Sequence, residues 1–339
     1  MYIIFKNLKH FFNKWETKPT GNYKNRMQPA HSPLIWIITE GLAGTENQCL
    51  GIAEAMGMPA IVKRIGLRQP WKALSPYLGF ECALTFTEPL TAPWPDILIA
   101  SGRKSIAASR YIKKKSGGKT FTIQVQDPRV HPKQFDMVVV PQHDPTRGDN
   151  VFVSVATPNR ITHQKLNTAK QDFAHLFEKI PSPRIAVLIG GSTKRHIFTA
   201  QENAALIEKL KNMNGLMITT SRRTGEDNTK TIKAHLTRPE NFIYDGTTQN
   251  PYMGMLAWAD IILVTADSTS MISDAATTGK PVYILPMNGL TKRQNQLIEN
   301  LKSHGAVREF DGKIDKWDYP PLSDSAQIAA EIQKKCGLL

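Results

Sequence analysis

The 339-residue chain predicts an α/β protein built from two Rossmann-like, doubly wound parallel-sheet domains that face each other across a cleft. Short, β-branched apolar runs bounded by turn residues alternate with longer stretches of helical periodicity, the pattern of a parallel sheet covered on both faces. The alternation occurs twice, on either side of a polar joining segment near residues 167–182. The length also suits two domains, and 41% hydrophobic residues suffice to fill two ordinary cores.

Along the first half, residues 34–39 open the ordered body as a buried strand and a glycine-containing turn at 40–48 leads into a helix over about 47–56, ending near Gly57. Strands are predicted at 61–65, 97–100, 120–125 and 137–140, with a helix over 104–115. In the second half, strands are predicted at 185–189, 216–220, 242–244, 261–264 and 282–285. Helices fall at about 199–211, 226–236, 252–257, 268–278 and 291–304, and a last helix over 323–335 is expected to cross back to the first domain. The domains are therefore 34–166 and 183–322, with a linker at 167–182 and a tail at 323–339.

Residues 1–33 stand apart. Residues 1–30 hold six basic side chains against one acid, and Met1, Ile4, Phe5, Leu8, Phe11, Phe12 and Trp15 recur at helical spacing opposite Lys6, Lys9 and Lys14. That is the pattern of a helix lying in a membrane interface, with packing on its own domain or on a partner as the alternative. Residues 17–33, with Pro19, Gly21, Pro29 and Pro33, read as a linker. No segment is long and apolar enough to span a bilayer.

The net charge of +14 calls for a polyanionic partner. No RNA-recognition motif, zinc finger or basic zipper is present, so nucleic acid is set aside in favour of a phosphorylated substrate or an anionic membrane. Three scattered cysteines, Cys49, Cys82 and Cys336, suit a reducing compartment and offer no metal-ligand spacing.

The most informative stretch is Ala266-Asp267-Ser268-Thr269-Ser270, between the strand at 261–264 and a helix carrying Asp274. Ser268 is placed to cap that helix, and the turn presents unpaired helix N–H groups at the carboxyl end of a parallel strand, where open α/β sheets bind phosphates. Asp274, about two turns along, is placed to accept hydrogen bonds from a ribose. Gly190-Gly191-Ser192-Thr193-Lys194 follows another buried strand and would let backbone approach a diphosphate, or else form a simple tight turn. Arg222 and Arg223 end the next strand, where guanidinium groups suit bidentate phosphate contact, with a solvated basic turn as the alternative. There is no Asp-X-Asp pair to hold a divalent cation.

In the first half, Gln126-Asp127-Pro128-Arg129 and Gln142-His143-Asp144 each follow a predicted strand. A carboxylate or imidazole there can serve as a base that takes a hydroxyl proton; His143 with Asp144 is the preferred pair and Asp127 the next, although Asp-Pro also commonly opens a turn. Arg103, in Ser101-Gly102-Arg103, is placed to bind an acidic acceptor or to be solvated.

Ser268 and Asp274 fall where the donor-binding half of GT-B glycosyltransferases, in particular the peptidoglycan lipid-intermediate N-acetylglucosaminyltransferase, has a serine-rich turn and a ribose-holding acid. In that enzyme an amide cluster reads donor-sugar hydroxyls, and Gln294 with Asn295 and Gln296 resembles it. Ser101-Gly102-Arg103, Gln124-Val125-Gln126-Asp127-Pro128-Arg129, Pro141-Gln142-His143-Asp144, Ser221-Arg222-Arg223-Thr224 and Asp267-Ser268-Thr269-Ser270-Met271 resemble more closely the mitochondrial-fission "elongated mitochondria" family, whose bacterial members are usually assigned as glycosyltransferases. The resemblance covers about residues 36–286, with Asp274 standing where that family more often has Glu.

The resulting expectation is a metal-independent GT-B glycosyltransferase, without a resident cofactor, at the cytoplasmic face of the inner membrane. Its second domain would bind a nucleotide-sugar through Gly190, Gly191, Ser192, Arg222, Arg223, Asp267, Ser268, Ser270, Asp274 and Gln294. Its first domain would bind a glycolipid or lipopolysaccharide-core acceptor, with membrane contact through residues 1–15. A non-catalytic scaffold on the same fold is the alternative.

Overall fold

The structure, a computed structural model, describes residues 32–193 and 195–338. The expected interfacial helix within residues 1–15, nearly all of the linker and Lys194 lie outside the described residues.

The apolar runs of the first half form β1 (Ile35–Thr39), β2 (Ala60–Arg64), β3 (Ile97–Ser101), β4 (Phe121–Val125) and β5 (Met137–Pro141), joined by an unpredicted β6 (Val151–Ser154). They make one parallel sheet in the order β2-β1-β3-β4-β5-β6. Strands β1, β3, β4 and β5 are buried throughout, as continuous Ile and Val runs require when helices cover both faces. β6 is mostly half-exposed at the sheet's edge, and its lack of a fully apolar run hid it. Helices α1 (Ala43–Ala55), α2 (Trp71–Leu74) and α3 (Ser105–Lys115) complete this lobe. Because α1 begins at Ala43, the expected glycine turn contracts to residues 40–42; nothing in Ala43-Gly44-Thr45-Glu46 forbids helix.

In the second lobe the segment expected as a linker is helical: α4 (His163–Asp172) and α5 (Ala174–Phe177) bury Leu166, Ala169, Phe173 and Phe177 in its core. Strands β7 (Ile185–Ile189), β8 (Leu216–Thr220), β9 (Phe242–Ile243), β10 (Ile261–Thr265), β11 (Val282–Leu285) and an unpredicted β12 (Val307–Glu309) form a second parallel sheet, ordered β12-β11-β10-β7-β8-β9. Around it lie α6 (Ala200–Leu210), α7 (Glu226–Leu236), α8 (Tyr252–Trp258), α9 (Thr269–Thr277) and α10 (Lys292–Ser303). Reciprocal capping boxes, Thr199 with Glu202 and Thr291 with Gln294, start α6 and α10 and satisfy N–H groups that would otherwise be orphaned. The two facing parallel sheets are the GT-B architecture. No helix among the described residues is long and apolar enough to cross a membrane.

The last helix, α11 (Asp324–Cys336), returns to the first lobe, where Ile328, Ala329, Ile332 and Cys336 join Ile35, Ile52 and Met56 in one core. Asp324 accepts from the amides of Val155 and Ala156 at 2.8 and 3.1 Å. Asn159 ties the crossing together: its amide donates to Ser325 Oγ at 2.9 Å and its Nδ2 to Thr277 Oγ1 at 2.8 Å. Its carbonyl lies against Gly51 of α1, where a Cβ would come within 2.1 Å of it.

Candidate functional site

In the second sheet the strand order reverses between β7 and β10, and the loops after these strands and β8 meet at one point. Asp267 is the knot. Its carboxylate, with the side chain only 2% exposed, accepts from Gly191 N at 3.1 Å and Thr265 Oγ1 at 2.7 Å and pairs with Arg223 Nη1 at 2.6 Å. Its carbonyl accepts from Gln294 Nε2 at 2.7 Å. A Cβ at Gly190 would lie 2.2 Å from Asp267 Oδ1, and one at Gly191 2.2 Å from the carbonyl of Arg223. These two glycines thus admit neighbouring protein rather than leaving space for a diphosphate. Ser192 Oγ is likewise engaged, accepting from Phe198 N at 3.0 Å.

What remains open is narrower than the sequence predicts. Ser268 occupies the N-cap position of α9, yet its side chain makes no capping bond, so its hydroxyl and the first-turn amides of α9 are uncommitted among the described residues. Arg222 makes no hydrogen bond or ion pair with the described residues, whereas Arg223 donates to the carbonyls of Gly191 and Ser192 besides holding Asp267. Gln294 is not available to read a sugar: Oε1 accepts from Thr291 N and Oγ1, both at 2.8 Å, and Nε2 is spent on Asp267.

Asp274, five residues into α9, accepts from Tyr252 Oη at 2.9 Å. Burial pushes its carboxyl up to about 7, and the tyrosine hydrogen bond opposes that rise. Its other oxygen has no hydrogen-bond partner among the described residues.

The α9 turn faces the first lobe, for a Cβ at Gly44 of α1 would lie 3.3 Å from Ser270 Oγ. In the first sheet the strand order reverses between β1 and β3. That crevice is filled: Glu40 pairs with Lys104 Nζ at 2.7 Å and accepts from Lys104 N at 3.1 Å. Arg103 is exposed.

The candidate bases lie at the ends of β4 and β5, and the structure brings them together. Asp127 accepts from Arg129 N at 3.0 Å and Thr146 Oγ1 at 2.8 Å, and its amide donates to Asp144 Oδ2 at 3.3 Å. Arg293, from the first turn of α10 in the other lobe, reaches both acids, 2.7 Å to Asp127 Oδ2 and 3.0 Å to Asp144 Oδ1. Burial works to raise the Asp127 carboxyl, but the Arg129 amide, Arg293 and Thr146 hold it below the usual carboxylate value. His143 is lowered, chiefly by burial and further by Arg293, against the pull of Asp144. Its Nδ1 is buried without a partner among the described residues. Gln126 and Arg129 have left-handed backbone, φ 73° and 57°, strain that proteins often keep at functional loops.

Sequence reasoning missed Arg293, Tyr252 and Thr265. Tyr252 and Arg293 look like ordinary helix residues and gain their roles only across packed elements; Thr265 at the end of a β-branched strand reads as sheet former alone.

The family model for mitochondrial fission ELM1 matches residues 43–336. The mitochondrial fission protein ELM1 of Arabidopsis thaliana is 32% identical over 273 residues, covering 71% of this chain and 64% of that protein. The chain thus spans just under two thirds of that relative's length. A Rickettsia prowazekii protein, RP120, is 28% identical over 284 residues, covering 70% of this chain and 79% of its own. Among solved structures, the UDP-GlcNAc 2-epimerase of Methanocaldococcus jannaschii superposes with a TM-score of 0.51 at 11% identity, covering 88% of this chain and 99% of that one.

Proposed function

The chain belongs to the mitochondrial fission ELM1 family, and from that premise we propose that it is a metal-independent GT-B glycosyltransferase that takes a sugar from a nucleotide-sugar donor. The observation that carries this reading is the conjunction after β8 and β10: an unpaired Arg222, an uncommitted Ser268 hydroxyl and the free N–H groups of α9, at the switch point of a parallel sheet and turned toward the opposite lobe. These groups suit a diphosphate. The named activity of the epimerase of similar fold, on a UDP-sugar, is consistent with such a donor.

In the proposed reaction the diphosphate sits against Arg222 and the start of α9, and Asp274 accepts from a ribose hydroxyl. His143 is the best-placed base. Arg293 offsets part of the negative charge of Asp127 and Asp144, while burial lowers the proton affinity of His143 and so favours the neutral imidazole that can take a proton. The acceptor hydroxyl gives its proton to His143 as its oxygen bonds to the anomeric carbon. The carbon–oxygen bond to the diphosphate breaks, and its electron pair leaves with the nucleoside diphosphate, stabilised by Arg222 and the helix dipole. We assign the acceptor to the glycolipid or lipopolysaccharide-core class at the inner cytoplasmic membrane surface.

A second reading, a non-catalytic interaction protein on the same fold, is favoured by the Arabidopsis relative being named for mitochondrial fission. Thermal-shift titration with nucleoside diphosphates separates the two. A transferase should gain about 2–3 kcal/mol at a hundredfold excess over Kd, and lose about half of that gain in Arg222→Ala at the same ligand concentration. No shift with any nucleoside diphosphate would leave the scaffold.

A further inference from the structure

Arg293 belongs to the second lobe but spends its charge on the first. It stands beside Gln294, whose Nε2 holds the carbonyl of Asp267 at 2.7 Å, so the start of α10 touches the candidate phosphate turn on one side and the β4 and β5 loops on the other. The two acids it meets come from different loops, linked to each other by the Asp127 amide on Asp144 Oδ2. Asp144 is 6% exposed, so without Arg293 two carboxylates would share a nearly dry corner. Next to them His143 keeps one ring nitrogen buried and unpartnered.

We infer that Arg293 is a positioning residue that arms His143 as a base only when the lobes are closed. With the cleft shut, the guanidinium offsets one of the two negative charges of Asp127 and Asp144, and adds to burial in favouring the neutral imidazole that can accept a proton. With the cleft open, Arg293 leaves with α10. The Asp144 carboxylate, no longer offset, then favours the imidazolium, which cannot act as a base, so the reacting proton is taken once the donor lobe has arrived. The charges that act on the imidazole are Asp144 on its own loop and Arg293 from α10; Asp127 and Arg129 from the β4 loop, and Arg147, which donates to the carbonyls of Gln142 and Thr146, are the other charged groups of these loops. Of these, only Arg293 comes from the other lobe. The inference rests on the transferase reading for its purpose, but its test does not.

The test is a histidine NMR titration of the full chain, with His143 assigned by loss of its signal in His143→Asn. Arg293→Gln should move the His143 midpoint upward by about one pH unit, and Arg293→Lys, which keeps the cation, should restore most of the parent value. Asp144→Asn should move it downward, so the sign remains testable if Arg293→Gln folds poorly. An unchanged midpoint in Arg293→Gln, or a shift that Arg293→Lys fails to reverse, would overturn the coupling. Either result would leave nucleotide binding, measured separately by thermal shift, to decide the transferase reading.

Discussion

Arg222 and Arg223 are neighbours after β8, yet only Arg223 is tied to protein, through Asp267 and two carbonyls. Arg223→Ala would strand the Asp267 carboxylate, and because the arginine itself is 41% exposed the expected loss is moderated to about 2 kcal/mol, read in a urea melt. Arg222→Ala should leave that melt unchanged while weakening nucleoside diphosphate binding about tenfold. Equal destabilisation by the two substitutions would contradict the division of roles. Asp274 gives a pH signature. A carboxyl raised to about 7 in the fold contributes stability at acid pH that is lost as pH rises through that value. Asp274→Asn should accordingly become more stable relative to the parent by about 1–2 kcal/mol between pH 5 and 8, seen as diverging melting temperatures. Nucleotide affinity of the parent should strengthen over the same interval, because the ribose contact needs the ionised acceptor.

At the scale of elements, most strands were legible because buried parallel strands are written as unbroken Ile, Val and Leu runs, as in β7 and β10. Edge strands β6 and β12 were not, since half of each faces solvent. The α9 turn and its acids were visible because the chemistry there is contiguous in sequence. Tyr252 on Asp274, 22 residues away, and Arg293 on Asp127, 166 residues away, depend on helix packing that no local pattern encodes. The early start of α1 was missed because Gly41 and Gly44 look like turn residues, whereas Gly44 is small so that Ser270 can approach. Gly51 makes the sharper case. Its missing side chain admits the backbone of Asn159, so Gly51→Ala, normally favourable in a helix interior by up to ~1 kcal/mol, should here destabilise by about 2 kcal/mol or more. A chemical-denaturation midpoint at or above the parent's would refute this close approach.

For the whole molecule, the chain's end belongs to its beginning. Ile328, Ala329, Ile332 and Cys336 of α11 complete the core around Ile35 and Ile52, and their loss would expose buried surface worth about 5 kcal/mol, comparable to the full stability of a small domain. Truncation after residue 322 should thus unfold the first lobe and leave the second protease-resistant. Limited proteolysis followed by mass spectrometry would show it, and preferential digestion of residues 183–322 would be the contrary result. The same architecture carries two sheets of one design, each with an ion pair where its strand order turns, Glu40 with Lys104 in the first and Asp267 with Arg223 in the second; in the second, Arg222 and the start of α9 remain unengaged among the described residues. Calorimetric titration should saturate at one nucleotide per chain, which leaves the first lobe, its turn point held by Glu40 and Lys104, to a partner of a different chemistry.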